Sequence, residues 1–356
     1  MIDVRSDTVT KPTDEMRRAM YQAEVGDDVF AEDPTVNRLE ELAAEMLGKE
    51  AALFVASGTM ANLVSLLSHC GRGEEVLLGA GSHIYVNEVA GMSVVGGLFP
   101  HPLPDASGCP APAEVEAGVR APNIHYPRTA LLCLENTHNI AGGIASALET
   151  LEAVTRVARR HELALHLDGA RLFNAAAALG VPARKLAAPF DSVYICLSKG
   201  LGAPVGSLTT GSRAFVERAR KHRKMLGGGM RQAGIIAAAG IVALEHMIDR
   251  LPEDHRTARH IAEALAELPG IELDLPTVQT NIIRFGVTSR PAAQLSQELR
   301  ARGVLINPTG PDTLRLVTHH HVGTVEADQI IAACRDILAP QAVAASAAAA
   351  AAANRS

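Results

Sequence analysis

Asp191-Ser-Val-Tyr-Ile-Cys-Leu-Ser-Lys-Gly-Leu-Gly-Ala-Pro-Val-Gly206 is the stretch whose reading decides the fold. It opens as an apolar, β-branched run, Val193–Leu197, with the length and composition of a buried strand. The run stops abruptly at Ser198-Lys199-Gly200, and Gly202, Pro204 and Gly206 follow. Lysine is almost never buried without a partner, so a core strand delivering one onto a glycine-dense turn leaves room for something beside it. Two readings compete. Lys199 caps the strand and points to water, or it is a Schiff-base lysine, made nucleophilic by desolvation and joined to an aldehyde cofactor.

The second reading needs an acid, and one lies upstream. Ala164-Leu-His-Leu-Asp168-Gly-Ala-Arg171 is another short apolar run, and its Asp168 precedes Lys199 by 31 residues, about one βαβ unit. Two adjacent parallel strands would then end on one side of an open α/β sheet, where ligands of such sheets bind. Pyridoxal phosphate requires this pair: a lysine for its aldehyde and a carboxylate for its pyridinium nitrogen.

Further segments carry a family resemblance. They are Val4–Pro12, Gly26–Val29, Asp33–Val36, Ser57–Asn62, Glu135–Asn139, Asp168–Arg171, Ser198–Gly200, Gly227–Gln232 and Arg315–His319. Together and in this order they resemble the threonine aldolases, fold-type I pyridoxal phosphate enzymes of the β-eliminating lyase group. The resemblance implies an α/β large domain of the aspartate aminotransferase type, with a mainly parallel sheet flanked by helices, plus a smaller α+β C-terminal domain. It also implies cleavage of L-threonine, L-allo-threonine and other β-hydroxy-α-amino acids to glycine and an aldehyde.

Composition agrees with an ordinary globular protein. The chain has 356 residues, 47% hydrophobic and 20% charged, with a formal charge of −6. That balance lacks the concentrated basic face of a nucleic-acid binder. The basic run Arg218, Arg220, Lys221, Arg223 and Lys224 reads as a solvated or subunit-facing helix surface. Five scattered cysteines without a C-x-x-C pair, no signal-peptide core and no membrane-length apolar stretch indicate a reducing, cytoplasmic setting. No metal site is expected: His319, His320 and His321 are consecutive, and consecutive strand residues alternate faces.

In chain order, residues 1–15 form an arm, 16–249 the large domain, 250–340 the small domain and 341–356 an Ala-rich tail. Ser57-Gly58-Thr59 joins a small apolar strand to a helix start, an anion site in which Gly58 and Thr59 are candidates for the cofactor phosphate. No dinucleotide or Walker glycine motif competes with it. The passage from Pro100 to Pro112 reads as a surface excursion. His83 follows a strand on the crevice side, and by resemblance stacks on the pyridine ring. His125 matches the family's second active-site histidine, while Glu135, Asn136 and His138 have supporting roles. Arg171 suits the cofactor's phenolic oxygen or the substrate carboxylate, since guanidinium binds carboxylate bidentately.

By resemblance, Ser6 and Arg315 bind the substrate carboxylate, and Arg231 reaches the cofactor phosphate of a neighbouring subunit. A homo-oligomer follows, a tetramer built as a dimer of dimers. The catalytic set is Lys199, Asp168, His83 and His125, with the general base left open among His83, His125 and a water. Phe30, Asn87 and the 140–147 stretch depart from the family pattern, in ways that bear on substrate preference. The alternatives are a β-eliminating lyase or amino-acid racemase on the same scaffold, a non-catalytic relative, and a plain dinucleotide-binding domain. The missing glycine fingerprint disfavours the last.

Overall fold

A computed structural model of the chain describes residues 1–353, with side chains as far as 338. The chain divides into two units, one of Met1–Val9 with the stretch from Pro252 onward, the other of Thr10–Leu251. The first residues are therefore not a separate arm. Strand β1 (Ile2–Asp3) pairs in parallel with Val304–Leu305, and Val4 is buried in the core of the smaller unit.

The larger unit holds a seven-stranded sheet. Its strands are β2 (Ala51–Val55), β3 (Glu75–Gly79), β4 (Phe99–Leu103), β5 (Thr129–Glu135), β6 (Ala164–Gly169), β7 (Ser192–Cys196) and β8 (Ser207–Gly211). The order is β2-β8-β7-β6-β5-β3-β4. Strand β8 is antiparallel to both neighbours, and the remaining pairs are parallel. Strand β2 thus runs with β7, and the C-terminal ends of β2, β3, β5, β6 and β7 share one edge.

Both faces of the sheet are covered, because alternate residues along a strand point to opposite sides. Leu53, Val55, Tyr194 and Cys196 pack with the helices Gly58–His69 and Arg213–Met225. Phe54, Val193 and Ile195 enter the opposite core with Leu39, Leu165 and Leu167.

Three readings are corrected here. The proline-rich passage begins not as a surface excursion but as edge strand β4, where proline's missing N–H faces no neighbour. Strand β8 was invisible because Thr209 and Thr210 break its apolar pattern, although both are fully buried. The basic helix run is only partly a solvated face. Arg223 is buried, donating to Asp28 at 2.6 Å and to the Phe54 carbonyl at 2.7 Å, and Arg220 bonds Glu40 at 2.7 Å.

The smaller unit carries an antiparallel sheet of β9 (Ile271–Glu272), β10 (Ile282–Val287), β12 (Asn307–Pro308) and β13 (Thr313–Val317), in the order β12-β13-β10-β9, while β11 (Val304–Leu305) is the partner of β1. Its core joins Phe285, Leu314 and Leu316 to the helices Ala292–Ala301 and Thr324–Ala353. That last helix takes in most of the Ala-rich tail; residues 354–356 lie outside the described residues. His319, His320 and His321 follow β13 in a turn, so strand alternation does not apply and their rings gather at centroid separations of 4.0–6.5 Å. Both His319 nitrogens are already engaged, Nε2 with the Asp3 carbonyl and Nδ1 with the His321 N–H. Among the described residues no helix is long and apolar enough to cross a membrane.

Candidate active site

Strands β6 and β7 are parallel neighbours, with Asp168 opposite Tyr194, and Lys199 lies just past the end of β7. The turn is fixed by its backbone: the Lys199 carbonyl accepts from Gly202 N–H and from Thr10 Oγ1, each at 2.9 Å. Gly202 has φ of 80°, which favours glycine. Lys199 is half-buried. None of the described residues pairs with its ammonium.

Asp168 is buried and firmly held. Its Oδ2 accepts from Asn62 Nδ2 at 2.9 Å and its Oδ1 from the Ala170 N–H at 3.1 Å. A carboxylate has about four acceptor positions. Capacity therefore remains for one more donor.

Asn62 Nδ2 also donates to Glu88 Oε1 at 2.8 Å, and the same oxygen meets His83 Nδ1 at 2.9 Å. The Glu88 hydrogen bond raises the His83 pKa above the ordinary imidazole value against the opposing effect of burial, while the Lys199 charge pulls it down. Burial in turn pushes the Glu88 carboxyl up. One proton is shared across this pair, and we assign it to His83. Val89 and Ala90, directly after Glu88, have φ of 53° and 54°, so backbone strain accompanies the delivery of this acid.

His83 is clamped from behind. Its N–H donates to Glu135 Oε2 at 2.6 Å, and Glu135 Oε1 accepts from Asn139 N–H at 2.9 Å. Asp105 takes the Gly81 N–H at 3.0 Å and faces His138 Nε2 at 2.7 Å. A Cβ on Gly79, the last residue of β3, would fall 2.0 Å from Asp105 Oδ2, so the strand needs a glycine there.

A cradle for a phosphate stands at the start of the helix Gly58–His69. Ser57 Oγ caps Met60 N–H at 3.2 Å, leaving the Gly58 and Thr59 amides outside the helical pattern. A Cβ on Gly58 would stand 2.9 Å from Tyr194 Oη. A Cβ on Gly228 would meet Met60 Sδ at 2.5 Å, which places the triple-glycine loop against the same helix turn. The donor set therefore fits pyridoxal phosphate: an amine without a paired carboxylate, an acid with spare acceptor capacity, and a glycine-lined helix N-terminus.

Arg171 is buried at the start of the helix Leu172–Leu179, with its carbonyl on Ala175 N–H. Arg231 is 58% exposed and pairs with Asp27 at 2.9 Å. His125 is exposed, and among the described residues its one hydrogen bond is from its own N–H to Asn123 Oδ1. Ser6 and Arg315 belong to the smaller unit, where Arg315 donates to the Arg5 carbonyl at 3.2 Å and Ser6 Oγ accepts from Thr8 N–H at 3.3 Å.

Sequence reasoning missed Asn62, Glu88, Asp105, His166 and Ser192. One signal was present: Asn62 and His69, seven apart, share a helix face, and His166 and Asp168, two apart, share a strand face.

The β-eliminating lyase family model matches residues 3–287. The low-specificity L-threonine aldolase 1 of Arabidopsis thaliana is 48% identical over 91% of this chain and 92% of that protein. The low specificity L-threonine aldolase of Escherichia coli K12 is 47% identical over 95% of this chain and 100% of its own length. Among solved structures, a Leishmania major threonine aldolase superposes with a TM-score of 0.81 at 20% identity, covering 95% of this chain and 99% of that one. A putative L-allo-threonine aldolase from Listeria monocytogenes gives 0.77 at 21%, covering 91% and 93%. At such identities these two likenesses speak to the fold.

Proposed function

The chain belongs to the β-eliminating lyase family, and from that premise we propose that it is a carbon–carbon lyase acting on small β-hydroxy-α-amino acids. L-threonine and L-allo-threonine are cleaved between Cα and Cβ to give glycine and acetaldehyde. The observation that carries the reading is the meeting, on one sheet edge, of Lys199 with an Asp168 already tied to His83 through Asn62 and Glu88.

Pyridoxal phosphate, when bound, supplies an aldehyde for an amine and an electron sink for the charge left at Cα. The protein's own residues do the rest. Lys199 provides the amine, and Asp168 holds a proton at the ring nitrogen. Gly58 and Thr59 N–H groups bind the phosphate, Arg231 reaches the phosphate of a neighbouring subunit by the family resemblance, and Arg171 binds the phenolic oxygen or the substrate carboxylate. Ser6 and Arg315 orient that carboxylate by the family resemblance.

His83, directly or through a water, takes the β-hydroxyl proton. Glu88 occupies Nδ1, so only Nε2 is left for exchange. His125 remains a candidate for the hydroxyl through the family alone. The working assembly is a homotetramer by the family resemblance, in the cytoplasmic setting that the cysteine usage indicates.

The test is to add L-threonine and L-allo-threonine separately to the purified protein and assay acetaldehyde and glycine. Lys199→Ala is expected to lose both the visible band of bound cofactor and the activity. Aldehyde-free elimination or racemisation would instead place the chain with another reaction of the same scaffold.

A further inference from the structure

Behind Asp168, on the side away from the glycine cradle, an unbroken run of polar side chains crosses the interior between the sheet and the helix Gly58–His69. Asn62 Oδ1 lies 3.1 Å from His166 Nε2, His166 Nδ1 lies 2.7 Å from Ser192 Oγ, and that oxygen lies 2.7 Å from His69 Nε2. Asn62, His166 and Ser192 are buried, and His69 stacks on Phe215 at 4.9 Å. We propose that His69, Ser192, His166 and Asn62 form a one-way hydrogen-bond chain that ends on Asp168 and Glu88 and positions both acids for the cofactor and for His83.

The direction follows by elimination. Asn62 faces two carboxylates, Asp168 and Glu88, and only its amide nitrogen can donate to both. Its oxygen therefore accepts, so His166 must carry its proton on Nε2. Burial lowers the pKa of His166 to about 3 and that of His69 to about 4, so both rings are neutral at physiological pH. The Nδ1 of a neutral His166 is bare and accepts, which spends the Ser192 hydroxyl proton. Ser192 Oγ then accepts from His69 Nε2–H. The rival His166 tautomer would set two acceptors face to face across 3.1 Å. Each donor is polarised by the next, and the chain runs out at the two acids.

This inference rests on the cofactor assignment above, because it gives Asp168 a task to be positioned for. Its first test does not depend on activity. Neutron diffraction from deuterium-exchanged holoenzyme crystals is expected to show deuterium on His166 Nε2 and His69 Nε2 and none on His166 Nδ1. Deuterium on His166 Nδ1 overturns the proposal even if the protein is an aldolase. Its presence only on Nε2 supports the chain even if the substrate reading fails.

The second test uses His69→Phe, which keeps a ring against Phe215 and deletes the first donor, and His69→Gln, which restores an N–H. One neutral hydrogen bond is worth about 1 kcal/mol, or roughly fivefold in a dissociation constant. His69→Phe is expected to weaken pyridoxal phosphate binding by about that factor and to shift the bound cofactor's visible band. His69→Gln should recover part of both. A His69→Phe protein with a lower melting temperature but unchanged cofactor affinity and spectrum has lost packing alone, and the proposal falls.

Discussion

Gly58→Ala offers a sharp test of the phosphate cradle. The added methyl would lie 2.9 Å from Tyr194 Oη, 3.2 Å from Cε2 and 3.3 Å from Cζ. Tyr194 cannot retreat: it sits in the middle of β7, is 1% exposed, and its ring stacks with His166 at 6.5 Å. Overpacking of this kind costs about 1–3 kcal/mol. Replacing a helical glycine returns up to about 1 kcal/mol, partly through the unfolded chain. The net loss is then about 1 kcal/mol, a fall of roughly 2–4 °C in melting temperature for a unit of this size. Cofactor binding should suffer more than stability, since the methyl intrudes beside the amides that receive the phosphate. We expect the dissociation constant, followed by absorbance titration, to rise at least about tenfold, the equivalent of ~1.4 kcal/mol. A variant that melts a few degrees lower yet binds pyridoxal phosphate as tightly as the parent would refute the cradle.

Three further outcomes are expected. Glu88→Gln removes the principal cause of the raised His83 pKa, so the acidic limb of the kcat/KM profile should move to lower pH; an unmoved limb would remove His83 as the titrating base. Arg315→Ala should raise KM for L-threonine by about tenfold or more, given the ~1.5–3 kcal/mol of a charge-assisted pair, with cofactor absorbance intact. The same variant with an unchanged KM would detach Arg315 from the substrate. The two neutral histidines behind Asp168 should make acid destabilising, against the opposite effect of the raised His83 and Glu88, which bind protons in the fold. His69 and His166 are held neutral in the fold, with pKa values of about 4 and about 3, but take up protons near 6.5 when unfolded. Their contribution is complete above 6.5 and is lost as pH falls toward those values, at about 1.4 kcal/mol per histidine per unit. Urea midpoints that stay flat between pH 7 and 5 would contradict this.

The placing of Lys199 and Asp168 was legible because rare residues stand there on a simple pattern. Lys199 and Asp168 each follow an apolar run, and β-strand alternation with βαβ spacing was enough to put them on one edge. Gly58 was legible for a similar reason, as a strand running into a helix leaves free amides at a predictable place. What failed was everything set by non-local pairing. Strand β4 carries Pro100 and Pro102 and is a strand only because β3 offers it an edge. Strand β1 is two residues long and exists through Val304 and Leu305. Glu88 lies outside regular structure, next to left-handed Val89 and Ala90, and no periodicity announces that it turns inward.

The polar interior behind Asp168 shows why such residues are hard to read and hard to replace. Asp168 and Glu88 are both buried, and the Asp168 charge helps to raise the Glu88 pKa, so the two acids repel. Asn62 is the side chain that bonds both, with one amide proton for each. An aspartate there would add a third acceptor, and an alanine would leave Asp168 and Glu88 each one donor short, at a desolvation cost of about 1–3 kcal/mol or more. The amide can serve both acids only while its oxygen is also satisfied, which requires the His166 Nε2–H. That requirement then fixes Ser192 and His69 in turn. A buried network of this kind is stable only when complete. Four polar positions on three separate elements thus follow from one proposed task, holding two buried carboxylates still.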